Sequence, residues 1–138
     1  MRARTGPALL QFFAYVWALP GTAIGLPFVL VAWLSGGRAA IVQGAVEVHG
    51  GLVTTFLRRG VPLLGSAAAM TLGHVILGRD LDCLEHSRRH EHVHVRQYER
   101  WGPLFLPLYL TASVVLYFKG LDPYLDNPFE REAYGQAE

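Results

Sequence analysis

From Ala8 to Leu34 the chain reads ALLQFFAYVWALPGTAIGLPFVLVAWL, with no charged side chain. As one helix this run is about 40 Å long, enough to cross a ~30 Å hydrocarbon core at a tilt. Leu19-Pro20-Gly21 offers a second reading, two short helices folded into a membrane-dipping hairpin, and the pattern leaves both open. A cleaved signal peptide would use Arg2 and Arg4 as its basic start. The apolar run is far longer than the ~7–15 residues such a peptide needs, however, and no small-x-small site closes it. Ser35-Gly36-Gly37 ends the region.

The spacing then changes. Ile41-Val42, Val46 and Val48 precede His49-Gly50-Gly51-Leu52, and Val53-Thr54-Thr55-Phe56-Leu57 follows, which predicts a β-hairpin about Gly50-Gly51. Arg58-Arg59-Gly60-Val61-Pro62 breaks it. Ala69 to Gly78 predicts one further strand. Asp82 with Glu85 three residues on fits a capping box, so a helix is expected from near residue 83. Gly102-Pro103 stops it and opens residues 103–118, PLFLPLYLTASVVLYF, short for a span and interrupted by Pro107. These read as a buried helix against the preceding one, with an interfacial helix as the alternative. Lys119-Gly120 ends that helix, and Asn127-Pro128 starts a last short one. The fold class is therefore α+β: residues 1–37 as a membrane-embedded helix or helical hairpin, then residues 38–138 as a domain with a small antiparallel β region and helices.

Composition sharpens this. The chain has 138 residues, 51% hydrophobic and only 17% charged, which is apolar-heavy for a soluble domain. Membrane lipid is an expected partner, with a bacterial-type inner membrane as the expected location. Arg2, Arg4 and Arg38 stand on both flanks of the apolar run, so the side of the membrane is not fixed. A formal net charge of +1 gives no reason to expect nucleic acid. Cys83 is the only cysteine, which rules out an intramolecular disulfide and a cysteine-based zinc site.

The candidate chemistry lies in Arg89-His90-Glu91-His92-Val93-His94-Val95-Arg96-Gln97. On a helix, His90 and His94 stand about 40° apart, with Glu91 about 60° beyond His94. Two neutral nitrogen ligands with a carboxylate beside them suit a catalytic divalent ion with water at an open position. Gln97 and Trp101 continue the same face, which leaves Gln97 either to hold a ligand or a substrate amide or simply to pack. Arg88, Arg89, His92, Arg96 and Glu99 fall on the opposite side, which reads as solvated. His86 joins the histidine stripe but lies too far along the axis to share one ion with both others, so it reads as a supporting or surface residue. His49 and His74 read as turn and strand residues. A catalytic zinc needs a third protein ligand. Glu130 and Glu132, two residues apart, would point about 200° apart on a helix, so only one can face the metal.

His90-Glu91-x-x-His94 followed by Glu130-x-x-Ala133 on a downstream helix resembles the gluzincin class of zinc metallopeptidases, and is similar to membrane-bound proteases of the CAAX-prenyl-protease type. The resemblance covers roughly residues 86–134. It implies a zincin-like arrangement, one zinc ion on His90, His94 and Glu130, and Glu91 as the general base. It also implies hydrolysis of peptide bonds in a peptide or protein substrate by a zinc-activated water. Glu130 is preferred to Glu132 because it stands three residues before Ala133. Tyr134 stands where those families commonly carry Asp. By the same resemblance, residues 71–77 would be the strand whose edge pairs with a peptide substrate. Tyr109 and Tyr124 read first as aromatic core residues, with hydrogen-bond donation to a tetrahedral intermediate at the zinc as the alternative. The alternative is a metal-binding membrane protein of the same fold, a sensor or scaffold without proteolysis.

Overall fold

The computed structural model describes residues 7–60 and 65–137. Arg2 and Arg4, and Val61-Pro62 of the expected break, lie outside the described residues. Helices α1 (Ala8–Trp17) and α2 (Leu19–Leu34) lead into strands β1 (Arg38–Val42) and β2 (Ala45–His49), helix α3 (Gly51–Arg59), and strands β3 (Ala69–Leu72) and β4 (Val75–Gly78). The long helix α4 (Leu81–Trp101) follows, then a 3-10 turn at Gly102–Leu104, α5 (Phe105–Phe118) and α6 (Pro128–Ala137).

The class is α+β as expected, but the sheet differs from the sequence reading in four ways. The first hairpin turns at Gln43-Gly44, where both residues have positive φ (53° and 83°) and Val42 pairs with Ala45. Such a two-residue turn matches the strand twist. The run Val53–Leu57 is not its second arm but part of α3. Val53 and Leu57 lie four residues apart, and both face the core. That helical spacing, with Ser35 Oγ accepting from the backbone N–H of Leu52 in the first turn, outweighs the β-branched composition.

The expected single strand over 69–78 is two strands. Gly73 (φ 62°) and His74 form another two-residue turn, with Leu72 paired to Val75. The sheet order is β1-β2-β4-β3, and β2 runs parallel to β4. The sheet is therefore mixed, not antiparallel throughout. A parallel pair needs a crossover connection, and α3 lies within it.

Alternation along β4 divides the core. Val75 and Leu77 face α2 and α3, together with Val48, Val53, Leu57 and Ala32. Ile76 faces the other way and packs with Ala45, Leu84 and Val95, which seats α4 on the opposite face. Glu47, on that same face of β2, takes a forked pair from Arg88 of α4 at 2.7 and 2.9 Å.

The apolar run over 8–34 is not one straight helix. It breaks at Ala18, and α1 and α2 meet at a bend of 70°. Pro20 sits in the first turn of α2, where a missing N–H costs nothing. Gly21 and Gly25 let α2 approach closely: a Cβ on either would collide with Tyr98 or Val75. One core thus continues from α2 into the sheet. By length and composition, the helical stretch Leu81–Phe118 is long and apolar enough to cross a membrane, and α1 with α2 passes the same test as a bent pair. Helix α5 buries Phe105, Tyr109 and Ser113. Leu108, Val114, Tyr117 and Phe118 are exposed, so of the two readings, buried or interfacial, the buried one holds for one side of the helix only.

Candidate metal centre

The site is built on α4. Its N-cap is Asp80, whose Oδ1 accepts from Cys83 N at 2.8 Å, so the helix starts two residues before the expected Asp82 cap. It ends as expected at Gly102, whose positive φ (56°) and close contact with the Trp17 ring require glycine. Trp17 Nε1 donates to Arg100 O at 3.3 Å, fastening α1 to the end of the site helix.

The face expected to be solvated is only partly so. Arg89 and Arg96 are exposed, but His92 is buried and Arg88 is forked onto Glu47. Glu99 holds His74 Nε2 at 2.7 Å. The sheet covers that side of the helix, which helical spacing alone did not reveal. His74, in the β3–β4 turn, stacks on Tyr15 with ring centroids 3.8 Å apart. His86 is exposed and its Nδ1 lies 2.9 Å from Asp82 O.

His90, His94 and Glu130 converge. His90 Nε2 lies 2.9 Å from Glu130 Oε2, the two histidine Nε2 atoms are 3.2 Å apart, and His94 Nε2 is 3.2 Å from the carboxylate. Two ligands each about 2.0–2.1 Å from a tetrahedral ion stand about 3.3 Å apart. The three separations fall within a few tenths of an ångström of that edge. This buried His-His-Glu group could hold a metal ion. Asn127 is the local reason Glu130 arrives there: Asn127 Oδ1 accepts from Phe129 N at 3.0 Å, at the start of α6. Its Nδ2 donates to Tyr109 O and Ser113 Oγ, tying that start to α5.

Two of the three groups have a further partner. Tyr109 Oη donates to Glu130 Oε1 at 2.7 Å, so this tyrosine is committed to the carboxylate. Tyr124 Oη pairs with Tyr134 Oη at 3.1 Å. His94 Nδ1 lies 2.8 Å from Gln97 Oε1. The ring of Tyr134 packs against His90, with centroids 4.4 Å apart. Glu132 stands apart from the cluster and pairs with Gln97 and Arg100. The separation of Glu130 from Glu132 expected of a helix is therefore present.

Glu91 lies beside the cluster, 5% exposed, and Thr71 Oγ1 of β3 donates to its Oε2 at 2.6 Å. Sequence reasoning placed Thr71 in a strand but had no signal for this contact, which arises only when the sheet edge meets α4. Glu91, the cluster and β3 all line a cavity of about 750 Å³, whose walls continue through Phe28, Phe56, Met70 and Leu110.

Burial would raise the Glu130 carboxyl. Hydrogen bonds from His90 and His94, the nearby His94 charge and the Tyr109 hydroxyl more than offset it, holding the group at about 2. Glu132 is likewise lowered: burial opposes the shift, but Gln97 and Arg100 favour the carboxylate.

Comparison of the chain with protein-family models, curated proteins and solved structures finds no match. The assignment of function therefore rests on the site itself.

Proposed function

We propose that this protein is a membrane-anchored zinc metallopeptidase. The observation that carries the reading is the convergence of His90 Nε2, His94 Nε2 and Glu130 Oε2 beside the Glu91 carboxylate, in one cavity. Two imidazoles and a carboxylate suit zinc among divalent ions, and a zinc ion bound there supplies a Lewis acid and an activated water. Glu91 takes the proton from the attacking water and passes it to the leaving amine. Thr71 holds Glu91 in place, and Tyr109 holds Glu130.

A peptide is the substrate class that the surroundings favour. β3 is an edge strand of the sheet among the described residues, and residues 69–72 line the cavity beside Glu91. An extended chain added there satisfies its backbone donors and acceptors in an otherwise apolar cleft. The anchor is the apolar surface of α1 and α5, where Leu9, Phe12, Phe13, Tyr117 and Phe118 are each more than half exposed. Replacing Phe12 and Phe13 together by Asp is expected to shift the protein out of the washed membrane fraction. Unchanged retention would contradict anchoring through α1.

Glu91→Gln tests the chemistry. It keeps the side-chain shape and removes the base, so zinc content should match wild type while peptide hydrolysis falls at least about a hundredfold. Wild-type hydrolysis by Glu91→Gln would sink the assignment. Zinc binding without hydrolysis in the wild-type protein would favour the non-proteolytic sensor or scaffold.

A further inference from the structure

Gln97 is fully buried, and each end of its amide has defined neighbours. Nε2 lies 3.0 Å from Phe129 O and 2.8 Å from Glu132 Oε2. A backbone carbonyl and an ionised carboxylate only accept, so the amide nitrogen must face them. A flipped amide would set an oxygen against two acceptors with no proton between. Oε1 is thereby left facing His94 Nδ1 at 2.8 Å. Because Oε1 can only accept, Nδ1 must carry a proton. In the charged ring Nε2 also carries a proton and donates to Glu130. Once that proton is released, as a metal ligand requires, the neutral imidazole has its lone pair on Nε2, the atom directed at His90 and Glu130.

We infer that Glu132, acting through Gln97, sets the tautomer and ring orientation of His94 so that Nε2 is presented as a ligand. The inference rests on reading the cluster as a metal site. Gln97 and Glu132 are positioning residues in this arrangement. Arg100 Nη1 and Nη2 and Gln136 Nε2 all donate to Glu132 Oε1, within 3.3 Å, which leaves Oε2 for Gln97. Helix α6 thus delivers two carboxylates with different tasks: Glu130 faces the cluster, and Glu132 orients the opposite imidazole from outside. His90 differs, since its Nδ1 is buried with no hydrogen-bond partner among the described residues. The protein fixes the tautomer of His94 and leaves that of His90 open.

The test is a zinc titration of the full-length protein in detergent, together with long-range proton–nitrogen NMR of the zinc-free protein at a pH where the ring is neutral. Wild type should show His94 protonated on Nδ1. Gln97→Leu should lose that preference and weaken zinc binding about ten- to a hundredfold. Glu132→Leu should shift both in the same direction. Glu132→Gln keeps an acceptor oxygen and should stay within about threefold of wild type. A neutral wild-type His94 protonated on Nε2 would overturn the inference. So would a Gln97→Leu protein with the wild-type tautomer and zinc affinity. If Gln97→Leu does not fold, the wild-type spectrum and the Glu132 pair decide. Failure of wild type to take zinc would overturn the metal reading separately, because the tautomer is read without metal.

Discussion

The hydroxyl of Thr71 donates to Glu91 Oε2 across 2.6 Å, joining the edge strand of the sheet to a carboxylate that lines the cavity. Thr71→Val keeps the side-chain volume and removes the donor. Under the proposed function, peptide turnover should fall about tenfold through loss of base orientation while zinc content stays at wild type. Stability should drop by roughly 1–3 kcal/mol, because a buried carboxylate oxygen loses its partner. Steady-state kinetics beside elemental analysis separate the two effects, and a parallel loss of zinc would show that Thr71 supports the fold rather than the base.

Gly25 of α2 faces β4 so closely that an added Cβ would stand 2.7 Å from Val75 Cβ and 3.0 Å from Leu72 O. Gly25→Val should therefore destabilise the protein by roughly 1–3 kcal/mol through overpacking. Gly135, in α6, has open space where its Cβ would go. Gly135→Ala should instead stabilise by up to about 1 kcal/mol, from helix propensity alone. Unfolding midpoints in detergent check both signs.

Glu130 links stability to pH. Its folded-state carboxyl is held at about 2, below the ordinary value of 4.5. A lowered carboxyl contributes stability that is present above pH 4.5 and lost as the pH falls towards 2. The shift corresponds to roughly 3 kcal/mol in the zinc-free protein. The unfolding temperature should fall across that window, and Glu130→Gln should flatten the dependence. An equally steep fall in Glu130→Gln would assign the acid sensitivity to other carboxylates.

Much of the site was legible because its signals are local. The four-residue spacing of His90 and His94, the Gly102-Pro103 stop and the Asn127-Pro128 start each depend on a few neighbouring residues. Together they placed Glu130 on the right helix and separated it from Glu132. The sheet was less legible. Val53-Thr54-Thr55-Phe56-Leu57 carries both a β-favouring composition and a helical spacing of its buried residues, and tertiary packing decided for the helix. The strand read over 69–78 hid a turn at Gly73-His74, because the strand-favouring residues on either side of that pair read as one continuous strand. Contacts such as Thr71 with Glu91 and Tyr109 with Glu130 span about 20 residues and follow only from how the sheet and α5 pack on α4 and α6.

Metal content measured by elemental analysis tests the central claim most directly, using detergent-purified wild type beside Glu130→Ala and Glu132→Ala. The account predicts about one zinc per wild-type chain, lost in Glu130→Ala and retained, though more weakly held, in Glu132→Ala. A wild-type protein without stoichiometric metal, even after zinc is supplied, would contradict it and leave His90, His94 and Glu130 as a buried hydrogen-bonded cluster.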